Sequence, residues 1–413
     1  MKHILIIGDG MADNPVPELE NKTPLEAAHK PFIDALAKES VLGSVLTVPK
    51  TLPPGSDTAI LSIFGCDPLL YFTGRSPLEA AGCGVKVEPG CASYRCNMIC
   101  VEDGDGPFDQ KKILSHNAGS IDGESSIAII RALCEDEEFS KALKEADMTI
   151  HPTPSFRHMA IQKNGDIAGL IAKPPHDILG QVVGEYPLGG NDNGAQLWKL
   201  MELANQKLEH LPLNEERRKA GKKPANGIWF WAEGTAVQLP DFIEANGTGG
   251  SVISAVPLVH GIGVLTGLKM VEVEGATGEV DTNYEGKLQA AKNALSQGEE
   301  FVCLHLEAPD ESTHNGSLSD KLLAIRQLDE LIVEPLVKWM EEQGMEFRLL
   351  LLSDHKTLMS TRTHDGDPVP FMIYDSTAPK NSGLSYTEQN GEKGPYLDRG
   401  TDLMKVLFGQ ITV

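Results

Sequence analysis

The sequence predicts an α/β fold: a sheet with helices on both faces, carrying a second α/β domain as an insertion. Three observations lead there. Short apolar runs recur at 4–7, 252–253, 271–273, Phe301–Leu306 and Phe347–Leu352, the pattern of strands buried on both faces of a parallel sheet. Each run is followed by a loop rich in Gly, Asp or His, several then by helical stretches, and such alternation builds a sheet covered by helices. The texture changes between about 73 and 249 and returns to the first pattern near Ser251.

The first run (Ile-Leu-Ile-Ile) stops at Gly8-Asp9-Gly10 after four residues and offers no small-residue cleavage site. It reads as a buried opening strand, not a signal peptide. The stretch 321–340 carries apolar residues at Leu322, Leu323, Ile325, Leu328, Leu331, Ile332 and Leu336, which predicts an amphipathic helix. The middle segment holds a polar loop at 102–110, a helical stretch at 127–146, and proline-rich connections around Pro152–Pro154 and Pro174–Pro175. It also holds a basic run at 215–223 that reads as a solvated face. The domains expected are therefore 1–72 with 250–413, and 73–249.

Size and charge narrow the function. A chain of 413 residues is long enough for two or three domains. With 36 Lys+Arg against 59 Asp+Glu the net charge is −23, which argues against duplex nucleic acid or an anionic membrane as partner. No apolar run is long enough for a transmembrane helix. Seven cysteines, with Cys91, Cys96 and Cys100 lacking C-x-x-C spacing, suit unpaired thiols in a reduced cytoplasm.

Four loops carry the chemistry. Gly8-Asp9-Gly10-Met11-Ala12-Asp13 sets an acidic residue between glycines at a strand end, where it can ligate a cation or cap a helix; Asp13 reads as a cap or a support. Pro53-Pro54-Gly55-Ser56-Asp57-Thr58 precedes a helical stretch. Ser56 is either an ordinary N-cap or a serine whose phosphoryl ester the helix N-terminus would stabilise. Asp310 and His314 sit four apart, so one helical turn puts both on one face. Ser353-Asp354-His355 follows an apolar run, and His364 comes nine residues later. Together Asp9, Asp310, His314, Asp354, His355 and His364 offer six mixed O/N ligands, which suit two divalent ions of the Mn, Zn or Co kind better than Mg. Two such ions can clamp a phosphoryl displacement and make a serine alkoxide available.

The strings GDGMAD, PGSDTA, TGRSPLEAAGCG, PSFRH, GATGEVDTNYEGK, EAPDESTH, SDH and RTHDGDPVP, in that order, resemble cofactor-independent phosphoglycerate mutase of the archaeal type, within the alkaline phosphatase superfamily. The resemblance implies a phosphatase-like metal domain carrying an inserted phosphotransferase domain. It implies Ser56 as the nucleophile that becomes phosphoserine; Asp9, Asp354 and His355 on one metal, which also touches Ser56; and Asp310, His314 and His364 on the other. The reaction implied interconverts 3-phosphoglycerate and 2-phosphoglycerate, without bisphosphoglycerate, in a cleft that shuts to exclude water. Arg157 and His158 in PSFRH, Arg75 and Lys287 are the cations expected on a small phosphorylated carboxylic acid. Two positions depart from the family pattern: Ser76, in place of glycine, and Lys356-Thr357-Leu358, where a proline-containing segment is commoner. A paralogue with the same metals acting on another acceptor, such as a homoserine kinase, is the alternative. No P-loop motif is present, which disfavours an ordinary ATP kinase.

Overall fold

The computed structural model describes residues 1–413. The chain divides into two compact units, one built from Met1–Phe72 with Gln238–Val413, the other from Thr73–Val237. The return to the larger unit thus comes at Gln238, ahead of the residue 250 expected, because the helix Phe242–Asn246 packs with the larger unit. No helix is long and apolar enough to cross a membrane.

The larger unit is built on an eight-stranded sheet. Its order is Tyr396–Leu397, Val41–Val45, Val369–Asp375, Phe347–Leu352, Lys2–Gly8, Phe301–Leu306, Gly250–Ile253 and Lys269–Val271. The apolar runs seen in the sequence form its parallel centre: Lys2–Gly8 pairs with Phe301–Leu306 on one side and Phe347–Leu352 on the other. Ile4, Leu5, Ile6 and Ile7 are fully buried. Val41–Val45 and Val369–Asp375, which the sequence reading does not identify, add two antiparallel pairings. Two reversals leave Val41–Val45 running in the same direction as the central strands, so its following loop leaves from their carboxyl edge.

The expected helix at 321–340 extends over Leu318–Gln327 and Glu334–Glu342, with a π turn at Leu328–Val333 between them. The turn presents buried Asp329, whose carboxylate accepts from the backbone N–H groups of Phe32 and Ile33. Those are orphan donors at the start of the helix Pro31–Lys38, which has no side-chain cap of its own. Apolar periodicity does not register this irregularity.

In the smaller unit every strand pairing is antiparallel. The long strand Cys91–Val101 pairs with Arg157–Lys163, Gly227–Thr235 and Ile113–Ser115, and Met148–His151 adds to Arg157–Lys163. Tyr94, Phe139, Trp229 and Phe230 fill its core. The helical stretch expected at 127–146 breaks at Asp136, which caps the second helix by accepting from the N–H groups of Glu138 and Phe139. The basic run is not a solvated face throughout. Arg217 is buried and donates to the carbonyls of Lys223 and Ala118, while Arg218 pairs with Asp103, Glu209 and Glu215. Both guanidiniums fasten loops of this unit.

Candidate metal centre and serine nucleophile

Sheet register brings the polar loops together. Gly8 pairs with Leu306, and Ile7 with Leu352, so three adjacent strands end level and release Asp9, the helix Ala308–His314 and Ser353-Asp354-His355 side by side. Sites in open α/β sheets form at this edge. Gly10 is required twice over: its φ is +59°, and a Cβ there would lie 2.6 Å from Asp310 Oδ1 and 2.5 Å from Thr357 Oγ1. Its N–H donates to Asp354 Oδ1 at 3.1 Å. The hairpin Lys356–Leu358 with Thr363–Asp365 sets His364 opposite Thr357, returning it to the same place.

Two sets of ligand atoms result, each with its members within 4.8 Å of one another: Asp9, Asp354 and His355, and Asp310, His355 and His364. His355 belongs to both. His314 stands beside the second set, its Nε2 at 3.1 Å from Asp310 Oδ2 and 3.0 Å from His364 Nε2. Ser56 is the first residue of the helix Ser56–Ile63; Gly55 occupies the N-cap position and no side chain caps the end. The capping alternative for Ser56 therefore fails. Its Oγ lies 3.1 Å from His355 Nε2 and 3.5 Å from Asp9 Oδ2, at the end of a helix where unpaired N–H groups favour an anion.

The charges at this site do not balance within the chain. Asp9 Oδ1 and Asp354 Oδ2 are buried and accept no hydrogen bond. Burial pushes the Asp9 carboxyl well above its ordinary range, and Asp354, Asp310 and Glu307 push it the same way. Burial would raise Asp310 too, but the His314 and His364 imidazoles override it and hold that carboxyl well below its usual range. The hydrogen bond to Asp310 in turn lifts His314 to about 9, and burial lowers His355. Buried carboxylate oxygens that accept no hydrogen bond, beside imidazole nitrogens such as His355 Nε2, 3.2 Å from Asp354 Oδ2, are the donor set that divalent cations of intermediate softness take. The residues fit two such ions.

Several supporting residues stand out little or not at all in the sequence. Thr357 is fully buried; its Oγ1 donates to Asp310 Oδ1 at 2.5 Å and lies 3.2 Å from His355 Nδ1. Thr357 thus stands in the segment that departs from the family pattern, yet it touches both sets. Asp13, read as a cap or support, is a support: it accepts from Lys321 Nζ at 2.8 Å and from the N–H of Met359. Lys321 also donates to the Thr357 carbonyl. His305 sits inside a fully buried strand with Nε2 at 3.0 Å from Asp9 Oδ2. A polar residue between Leu304 and Leu306 is the one sequence clue to it.

The expected substrate cations meet different fates. Lys287 is 1% exposed, and its Nζ donates to the His305 carbonyl; burial lowers it to about 8 against the pull of Glu307. Its contact with the His305 carbonyl places it behind the strand end that His305 shares with Asp9. His158 is fully buried, with Nε2 3.0 Å from Ser126 Oγ and Nδ1 accepting from the N–H of Thr153. Both ring nitrogens are engaged within the smaller unit, and burial lowers its pKa to about 4. In the smaller unit Arg75 Nε donates to Glu79 Oε1 at 2.9 Å. Arg157 lies over the rings of Phe156 and Trp231 at 5.2 and 5.9 Å. Arg95 also pairs with Glu79 and stacks on Trp231 at 4.5 Å. Ser76, the other departure from the family pattern, donates to the Ser93 carbonyl.

Comparison with known proteins follows the same lines. The family model for 2,3-bisphosphoglycerate-independent phosphoglycerate mutase matches residues 37–214. The chain is 41% identical over 411 residues to the protein of that name from Methanosarcina acetivorans, covering 98% of this chain and 99% of that one. It is 39% identical over 410 residues to a probable 2,3-bisphosphoglycerate-independent phosphoglycerate mutase from Geobacter sulfurreducens, covering 99% and 100%. A solved protein structure from Pyrococcus horikoshii superimposes with a TM-score of 0.78 at 27% identity, covering 100% of this chain and 99% of that chain. The cofactor-independent phosphoglycerate mutase of Thermoplasma acidophilum, at 23% identity, shares the fold with a TM-score of 0.62, covering 99% and 100%.

Proposed function

Because the chain belongs to the 2,3-bisphosphoglycerate-independent phosphoglycerate mutase family, within the alkaline phosphatase superfamily fold, we propose that it interconverts 3-phosphoglycerate and 2-phosphoglycerate through a phosphoserine at Ser56. The observation that carries this reading is the position of Ser56 Oγ, 3.1 Å from His355 Nε2 and 3.5 Å from Asp9 Oδ2, next to buried carboxylate oxygens that accept no hydrogen bond. Asp9, Asp354 and His355 would hold one divalent ion; Asp310, His314 and His364 would hold the other. When bound, the two ions would lower the pKa of a neighbouring hydroxyl and offset the charge of a phosphoryl group.

Ser56 Oγ attacks phosphorus as the bond from phosphorus to the 3-oxygen breaks, and the proton lost by Ser56 ends on that oxygen. The 2-hydroxyl of glycerate then takes the phosphoryl group, and its proton returns to Ser56. The N-terminus of the helix Ser56–Ile63 favours the anionic ester. Arg75 and Arg157 would recognise the carboxylate and phosphate, for which a guanidinium fork is suited.

The test is turnover of 3-phosphoglycerate by metal-reconstituted protein, coupled to enolase, with bisphosphoglycerate absent. Turnover under those conditions is expected, with Ser56→Ala inactive and its metal content near normal. Turnover of homoserine with ATP, and none of 3-phosphoglycerate, would discard the mutase reading for the kinase one.

A further inference from the structure

Asp9 is fastened from behind. The register pairs Leu304 with Ile253 and Ile7 with His305, so Ser254, one residue past Ile253, stands level with His305. Asp9, two residues past Ile7, reaches back over it. His305 is fully buried and Ser254 is 2% exposed. His305 Nε2 lies 3.0 Å from Asp9 Oδ2, and its Nδ1 lies 3.1 Å from Ser254 Oγ. A carboxylate that ligates a cation is ionised and only accepts, so in the metal-dependent reading Nε2 carries the hydrogen and donates. Ser254 is fixed in turn: its Oγ accepts from the N–H of Val256, and its carbonyl is 2.8 Å from His260 Nε2.

We infer that His305, oriented by Ser254, is a positioning residue for Asp9: it engages Oδ2 from within the sheet, fixes how the carboxylate is turned, and leaves Oδ1 without a hydrogen bond and open to a cation. This rests on the metal-dependent reading above. Two features of the geometry point to it. One oxygen of Asp9 has a buried donor while the other has none, so the donor fixes how the carboxylate is turned. The donor comes from a ring pinned at both nitrogens, the arrangement by which outer partners tune ligands in metal sites. Lys287, through its bond to the His305 carbonyl, supports the same strand end.

The experiment measures binding of Mn²⁺ alone to the full chain by equilibrium dialysis, alongside kcat and KM, in Ser254→Ala, His305→Leu and His305→Gln. Expected is a loss of about 10–100-fold in affinity at one of the two sites in the first two variants, with the other site unchanged. The third variant, His305→Gln, keeps an N–H donor and should recover most of the affinity. Unchanged affinity at both sites in Ser254→Ala and His305→Leu would overturn the inference. So would failure of His305→Gln to recover, which would make His305 a direct ligand or a purely structural residue. Ser254→Ala keeps the test decisive if His305→Leu does not fold. The binding readout stands apart from turnover, so a wild-type protein that binds two Mn²⁺ without mutase activity would discard the proposed function and leave this inference to be judged by affinity.

Discussion

Two buried acidic positions, one in each unit, show opposite solutions to the same problem. Glu79 in the smaller unit is 4% exposed, and its oxygens receive Arg95 Nε at 2.6 Å and Arg75 Nε at 2.9 Å. Burial would raise its carboxyl; Arg95, with Arg75, overrides burial and holds it well below the usual carboxylate range. Asp9 and Asp354 in the larger unit are as deeply buried, 1% and 0% exposed, but each keeps an oxygen with no hydrogen bond. Where the chain supplies the countercharge, a buried carboxylate is architecture. Where it does not, the carboxylate is disposed toward something that arrives later.

The sharpest way to break this contrast is to remove Asp354. Asp354→Ala should lose about one equivalent of divalent ion per chain and lower turnover roughly a thousandfold or more, equivalent to about 4 kcal/mol; metal analysis after gel filtration and the coupled assay check both. Retained metal and rate would place the cations elsewhere.

Next in size is Glu79→Gln, which leaves Arg95 buried without its partner and should cost about 3–5 kcal/mol at neutral pH, read by denaturant unfolding. The sign of its pH dependence follows from the depressed folded pKa. The pair's contribution is fully present above about 4.5, the ordinary glutamate value, and is lost as pH falls below it toward the folded pKa. The gap between wild type and Glu79→Gln should therefore close in acid. Trp198, Trp229 and Trp231 lie in this unit and report it by fluorescence. A gap that stays constant with pH would mean the ion pair is not the source of the difference.

The opposite sign is expected at Asp9. Asp9→Asn relieves repulsion from Asp354 and Asp310 while keeping an acceptor for His305, so the metal-free protein should gain about 1–2 kcal/mol even as its cation affinity falls. Destabilisation measured in metal-free protein would erase the contrast with Glu79. The smallest effect belongs to Thr357→Val. Removing the hydroxyl that Asp310 accepts from should weaken one cation by about tenfold, with Thr357→Ser close to wild type; equal loss in both variants would deny the hydroxyl its role.

What the sequence made legible follows physical lines. Strands Phe301–Leu306 and Phe347–Leu352 stand out because central strands are apolar on both faces. Val41–Val45 and Val369–Asp375 do not, since the first contains Gly43 and Ser44 and the second opens on Val-Pro; their pairing is a tertiary fact. The six ligand candidates and Ser56 were readable because polar residues at strand ends are conspicuous and the resemblance tied them together. Their neighbours were not. Ser254, His305 and Thr357 act through partners 51, 296 and 47 residues away, and no local spacing encodes such contacts. The burial of His158 was hidden for the converse reason: a histidine in a loop-like string looks exposed until the strand Arg157–Lys163 covers it.

One measurement bears most directly on whether the unbalanced carboxylates serve Ser56. Manganese-reconstituted protein is mixed with 3-phosphoglycerate, quenched in acid during turnover, and mapped by peptide mass spectrometry. A phosphoryl group on Ser56, absent when the metal is removed beforehand, is the result expected. Mutase turnover with Ser56 unmodified, or undiminished in Ser56→Ala, would contradict it.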